Sequence, residues 1–285
     1  MCMACGGVRA LVPFFNISTR GGSATWWIAT ILRQHPDIVC LHGREGPFAK
    51  GEPEPAAVLQ VLEAERTRTG GKTVGAVHLF YGTEPCKAFV AAGGTFTCVL
   101  RNPLTRIHSL FTHHCRLDLR HSAPEGAPIY QSLIDAGLAT GAPVSTIPFV
   151  TVEATRPADV LFRLICDSVL AFDRDILTNA PDGIALFERL TEDRGYLFDW
   201  LGRLLGGADD LLSRAVDAGF DNRVNSHVGD ARLTPEEVFE VWPDAFRKAF
   251  LRSMLLQDWN PLLTAYASVG YAFPQLNVDL LQRHV

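Results

Sequence analysis

The segment Ser18-Thr19-Arg20-Gly21-Gly22-Ser23-Ala24-Thr25-Trp26 has the residue types that hold an anion. Two adjacent glycines let the backbone turn tightly and approach a ligand. The helix that follows opens at a serine or threonine, where free N–H groups and the positive end of the helix dipole favour negative charge. Arg20 adds a fixed cation with up to five donors. Arg20, Gly21, Gly22, Ser23, Ala24 and Thr25 are therefore candidate ligand-binding residues. Gly71-Lys72-Thr73 has the ending of a G-x-x-x-x-G-K-T phosphate loop, but Arg66 stands where the first glycine is needed. Its lysine also precedes a strand rather than opening a helix, so it reads as a turn. Cys2 and Cys5 form C-x-x-C with no second pair at zinc-finger spacing, and no metal site is inferred.

The elements that must position this loop alternate between strand and helix. Leu11 to Ile17 reads as a strand, Ser23 to Gln34 as a helix stopped at His35-Pro36, and Ile38 to Leu41 as a second strand. A helix over Pro55 to Thr69 leads to a strand at Thr73 to Leu79. A short helix at Glu84 to Ala92 leads to a strand at Thr95 to Leu100, and Pro103 opens a helix running to Leu117. Such alternation specifies an α/β fold: a central, mostly parallel sheet of about five strands flanked by helices in three layers. The apolar runs at 11–17 and 95–100 read as strands buried on both faces. Residues 120–150, rich in Pro, Gly and Ala, read as an irregular connection. Helical pattern returns at 157–177, Ile184 to Leu190 reads as a fifth strand, a helix ends at Gly206-Gly207, and 234–268 is helical. The whole, 1–285, is read as one domain. Its first half, 1–118, carries the binding motifs, 119–156 is a variable connection, and 157–285 is mostly helical.

The first loop resembles that of the sulfotransferase family, which places Lys/Arg-x-Gly-Thr/Ser-Thr-Trp between a strand and a helix. Arg20, Gly22, Ser23 and Thr25-Trp26 carry the likeness, with Trp26 one place later than the family's tryptophan. A second motif is more specific. The family's Arg-x-Pro-x-x-x-x-x-Ser is matched by Arg101-Asn102-Pro103-Leu104-Thr105-Arg106-Ile107-His108-Ser109. Ile184 to Leu190 and the helix after it are similar to the family's late elements, and Asn222-Arg223-Val224-Asn225-Ser226 resembles a later loop that returns to the nucleotide. The resemblance implies a nucleotide-binding fold of P-loop type. It also implies a donor, 3′-phosphoadenosine 5′-phosphosulfate, from which a sulfuryl group passes to an acceptor hydroxyl or amine. The first loop would wrap the 5′-phosphosulfate, Arg101 and Ser109 would read the 3′-phosphate, and Arg223 is a weaker candidate for that phosphate. Arg101 ends a parallel strand, where open α/β sheets bind ligands, and can offer a charge-assisted fork. Arg106, Ser109, His113 and Arg116 share one helix face by their spacing, and Arg106 and Arg116 are expected to form a solvated polar surface.

Sulfuryl transfer needs a base for the acceptor's proton, in-line geometry and compensation of developing charge. Arg20 is the candidate for the charge. The family's small-molecule enzymes place a catalytic histidine a little over 20 residues before the 3′-phosphate arginine, and His78 falls in that position. An ordinary histidine titrates near pH 6.5, which suits a general base. Glu45 is a rival base, and His113-His114 resembles a pair that is usually structural.

The bulk composition bounds these readings. The chain has 285 residues, 47% of them apolar and 20% charged, enough for a large core. A formal charge of −5 argues against a general nucleic-acid binder. No apolar run approaches the roughly 20 residues that span a bilayer, so no integral membrane segment is expected. Seven unpatterned cysteines suit reduced thiols in a cytoplasmic protein. The partner expected is a small-molecule, lipid or glycan acceptor. Two alternatives stay open: a nucleotide-binding relative without catalysis, and a nucleotide-dependent phosphotransferase of related fold.

Overall fold

The computed structural model describes residues 11–19, 24–43, 45–48, 54–79, 82–111, 158–180, 183–222, 233–273 and 276. They form two compact units. One, drawn from 1–19, 24–100 and 182–226, holds the sheet; the other, drawn from 20–23, 101–181 and 227–285, is helical over its described residues.

The sheet unit contains β1 (Phe14–Ser18), α1 (Thr25–Leu32), β2 (Ile38–His42), α2 (Pro55–Arg68), β3 (Thr73–Leu79), α3 (Thr83–Ala91) and β4 (Thr95–Leu100). After a long excursion come β5 (Ile184–Leu186) and the helices we label α6 (Phe187–Glu192), α7 (Arg194–Leu205) and α8 (Asp210–Gly219). The five strands lie in the order β2-β3-β1-β4-β5, and every pairing is parallel. This is the α/β architecture that the strand–helix alternation predicts. β1 is buried along its whole length, as a central parallel strand must be.

Alternation of side chains along the strands assigns the two faces. Phe15, Ile17, Val77, Val99 and Ala185 pack with Trp27, Ile28 and Ile31 of α1 and with Leu197, Trp200, Leu201 and Leu204 of α7. Phe14, Val74 and Ala76 pack with Val58 and Leu62 of α2 and with Cys86 and Phe89 of α3. Polar anchors fix the first of these layers: the Trp27 indole donates to the Gly219 carbonyl at 2.8 Å, and the Trp200 indole to the Thr97 hydroxyl at 3.0 Å. Gly75 is required where it stands, because a Cβ there would lie 2.4 Å from the Phe15 ring.

The helical unit contains α4 (described over 103–111), α5 (Ala158–Asn179), α9 (Pro235–Val241), α10 (Asp244–Leu256) and α11 (Trp259–Ser268). α5 packs along α10 and α11. Its core is aromatic. Phe162 stacks on Phe246 at 4.2 Å between centroids, and Phe111 and Trp242 meet Phe162 edge-on at 5.4 and 4.9 Å.

Among the described residues, element positions otherwise follow the sequence closely, with one correction; the helix expected from Pro103 to Leu117 is described only to 111, and the connection 120–150 lies outside the described residues. The expected strand 184–190 is strand only to Leu186, and Phe187–Glu192 is helix. The buried residues there, Leu190 and Thr191, sit on one side of a helical turn, whereas a strand would bury alternate positions. Gly206, at φ 79°, ends α7 in the left-handed conformation that glycine tolerates. No described helix is long and apolar enough to cross a membrane. Cys40, Cys86, Cys98 and Cys166 are buried and form no disulfide among the described residues, and burial pushes Cys40 up to about 12, too high to yield a thiolate at neutral pH.

Candidate active site

The C-terminal ends of β1, β2 and β3 converge with the first turn of α1. Ser18 closes β1, and its hydroxyl donates to the Leu79 carbonyl at the end of β3 at 2.8 Å. α1 then opens at Thr25 behind Ala24, whose φ of 51° is left-handed and which offers no side-chain cap. The first N–H groups of a helix have no intrahelical acceptor. Ala24 has no side-chain oxygen to accept from the N–H groups of Thr25, Trp26 and Trp27. Arg20, Gly21, Gly22 and Ser23 lie outside the described residues.

His78 sits on an irregularity of β3. The pairing of β1 with β3 runs Ile17 to Val77 and then Ser18 to Leu79, so His78 is an inserted residue, and its φ is 71°. Strict alternation would send Leu79 to the same face as Val77, yet Leu79 packs with Val74 and Ala76 on the opposite one. The bulge absorbs that change and re-aims the histidine. Histidine in left-handed backbone is uncommon, and such strain concentrates at functional sites. Ala24 and His78 are two of the three non-glycine residues with positive φ among those described. Gly43 makes the bulge possible. Its N–H donates to the Val77 carbonyl at 2.8 Å, and a Cβ on it would lie 2.3 Å from the His78 carbonyl oxygen.

Three rings stack above this edge. Trp26 lies on His42 at 3.8 Å between centroids with planes 15° apart, and His42 lies on His78 at 4.8 Å and 14°. The Thr25 hydroxyl bridges the two histidines, 3.1 Å from His78 Nδ1 and 3.1 Å from His42 Nε2. Thr25, His42 and His78 are buried, and Trp26 is half-buried. Thr25 was expected to meet a ligand; its hydroxyl is already engaged, which leaves its backbone N–H for that role. Glu45 forms an ion pair with Arg33 and accepts the His42 backbone N–H at 3.3 Å. Its carboxylate is thus committed to structure around β2.

The second motif belongs to the helical unit. Arg101 directly follows the last residue of β4, and Asn102-Pro103 starts α4. The Asn102 carboxamide oxygen accepts the Leu104 N–H at 3.0 Å, and the Thr105 hydroxyl donates to the Asn102 carbonyl at 3.1 Å. Arg101 Nε donates to the Thr105 hydroxyl at 3.2 Å. Ser109 lies two turns along α4 and is partly buried.

Arg106 corrects the expectation of a solvated polar face. It is fully buried, with Nη2 2.5 Å from Asp173 of α5 and 3.5 Å from the Arg101 carbonyl. Asp173 also accepts the Tyr266 hydroxyl of α11 at 2.6 Å. Burial and the Asp173 charge push Tyr266 well above its ordinary range, so it is a neutral donor. Arg106 is accepted inside because an acid on another helix, itself held by a phenol on a third, receives its charge. His113, His114, Arg116 and Arg223 lie outside the described residues.

Sequence reasoning missed His42. The signal was present: it ends an apolar strand on the same sheet edge as His78. The Arg106–Asp173–Tyr266 set left no such signal, since its members are 67 and 93 residues apart. Among the described residues no group of three or more His, Cys, Asp and Glu could hold a metal ion.

No protein-family model matches this chain, and no curated protein matches it. Among solved structures it is similar to mouse sulfotransferase SULT7A1 complexed with PAP, at 12% identity and a TM-score of 0.49, over 92% of this chain and 89% of that one. A match at that distance carries no residue role across.

Proposed function

We propose that this protein is a sulfotransferase that moves the sulfuryl group of 3′-phosphoadenosine 5′-phosphosulfate onto a hydroxyl or amine of a glycan, lipid or small metabolite. The observation that carries the reading is His78: a histidine on a strained bulge at the C-terminal edge of a parallel sheet, hydrogen-bonded to the first residue of the helix that follows the glycine loop. Open α/β sheets bind ligands at that edge, beside a helix N-terminus suited to phosphate.

In this reading His78 takes the acceptor's proton while Arg20 offsets charge on the transferring group, with Gly21, Gly22, Ser23, Ala24 and Thr25 supplying backbone N–H groups to the 5′-phosphosulfate. Arg101 and Ser109 read the 3′-phosphate, with Arg223 as an additional contact. The commitment of Glu45 to Arg33 favours His78 over it as base. Chemistry of this kind rests on positioning and electrostatics and needs no group beyond the side chains and the donor. A cytoplasmic location belongs to the same proposal, since the donor is a soluble nucleotide.

The test is heat stabilisation by 3′-phosphoadenosine 5′-phosphate. A ligand that binds only the folded chain raises its stability by about 2.7 kcal/mol at 100 times its dissociation constant. The expected result is a clear shift for the wild type, lost in Arg101→Ala, weakened in Ser109→Ala and not reproduced by ADP. No shift, or an equal shift with ADP, would refute the donor assignment. A shift without transfer to any of a broad panel of acceptors would favour a nucleotide-binding protein without catalysis.

A further inference from the structure

Arg101 stands just outside α4, and its place is set from inside that helix. Its carbonyl lies 3.5 Å from Nη2 of Arg106, which is fully buried against Asp173 of α5, itself bonded to Tyr266 of α11. The turn between the two arginines is closed. The Asn102 carbonyl accepts the Arg106 N–H at 2.9 Å, and the Asn102 carboxamide caps the Leu104 N–H at 3.0 Å. The backbone that carries the Arg101 side chain is therefore fixed by a buried charge pair and a capped helix start. A long side chain on a fixed root still has many rotamers.

Thr105 restricts them. Its hydroxyl has one proton, which goes to the Asn102 carbonyl at 3.1 Å, and so presents a lone pair to Arg101 Nε–H at 3.2 Å. Both bonds have a defined direction, because a carbonyl only accepts and a guanidinium only donates. A guanidinium is a rigid plane, so a bond to Nε–H sets that plane and the direction in which the two Nη groups face. Of residues 102–111 only Thr105, His108 and Ser109 are not buried. Thr105 and Ser109, four apart, share one face of α4. Thr105 thus lies between the two residues assigned to the 3′-phosphate, bonded to one and on the same helix face as the other.

We infer that Thr105 is a positioning residue for donor recognition: its hydroxyl presets the Arg101 guanidinium for the 3′-phosphate, so that the chain distinguishes a 3′-phosphorylated nucleotide from one without that group. The inference rests on the reading of Arg101 and Ser109 as the 3′-phosphate contacts. Thr105 touches no reacting atom. It supplies order in advance, since an arginine held before the ligand arrives has less freedom to lose on binding. Only the hydroxyl takes part; serine would serve, and valine, of the same shape, would not.

The test compares 3′-phosphoadenosine 5′-phosphate with adenosine 5′-phosphate, the same nucleotide lacking the 3′-phosphate, by equilibrium titration of the full-length protein. The wild type should bind the 3′-phosphorylated nucleotide more tightly. Thr105→Val should weaken that binding about 2- to 12-fold, the range for ordering one rotamer-rich side chain, and leave adenosine 5′-phosphate unchanged. Thr105→Ala should match it, which keeps the test open if either variant folds poorly. Thr105→Ser should restore the wild-type ratio of the two affinities. A wild-type ratio in Thr105→Val and Thr105→Ala, whether both affinities hold or both fall together, would overturn the role of Thr105, because a merely structural loss acts on both nucleotides alike. A wild type that binds the two nucleotides equally would remove the donor reading itself, and this inference with it.

Discussion

Two buried polar clusters divide the labour of this molecule, and they are built on opposite principles. At the sheet edge, Thr25, His42 and His78 are joined by a single shared hydroxyl and held on backbone that pays in strain. In the helical unit, Arg106, Asp173 and Tyr266 are joined by a full charge pair and a phenol, and none of the three has a positive φ. Buried ion pairs seldom add net stability, but removing one partner strands a charge and is severe. A neutral ring cluster can lose a member at lower cost. Polar burial therefore takes two forms here: one cluster joins three helices through a charge pair, and the other joins two strand ends to the start of a helix through one hydroxyl.

The sharpest break of this contrast is Asp173→Ala. It would leave the buried Arg106 guanidinium without its counter-charge, where Nε and Nη1 already find no acceptor among the described residues. A loss of about 3–5 kcal/mol is expected, read by denaturant unfolding. The matching change in the other cluster is His78→Asn, chosen because Asn tolerates left-handed backbone. It should leave the unfolding midpoint nearly unchanged and lower sulfuryl transfer by roughly 10²–10⁴-fold, the usual contribution of a general base. If Asp173→Ala proves benign and His78→Asn unfolds the chain, the assignment of roles is inverted. A smaller effect tests what holds the bulge. Gly43→Ala pushes a methyl into the His78 carbonyl and should cost about 1–3 kcal/mol, the range for overpacking. Its transfer rate should fall further than that of a surface mutant of equal stability.

How much of this was legible beforehand depended on range. β3 and β4 could be bounded to the residue: β4 runs between Gly94 and Arg101, and β3 starts just after the Gly70-Gly71 turn. His78 could be placed at a strand end, but its bulge could not, since nothing in Val77-His78-Leu79 announces an inserted residue. That irregularity is imposed by β1 and by the space above Gly43. Thr25 could be picked out because the helix start is a local signal, whereas the two histidines that claim its hydroxyl come 17 and 53 residues later. Arg106 was misread because an amphipathic helix looks the same whether its polar face meets water or a buried acid. Fold and loop thus follow from local pattern, and the connections that give the site its chemistry from tertiary pairing.

The late return of β5 has a consequence for how the chain is made. β5 pairs with β4 only after residues 101–183 have intervened. At ordinary synthesis rates that segment takes about 4–17 s to emerge from the ribosome. For that time β4 is the open margin of a nascent four-stranded sheet, with Cys98, Val99 and Leu100 lacking the neighbour that later bonds them. Truncation before residue 184 would make that exposure permanent, so nascent chains released early should be the ones that chaperones hold and that aggregate first.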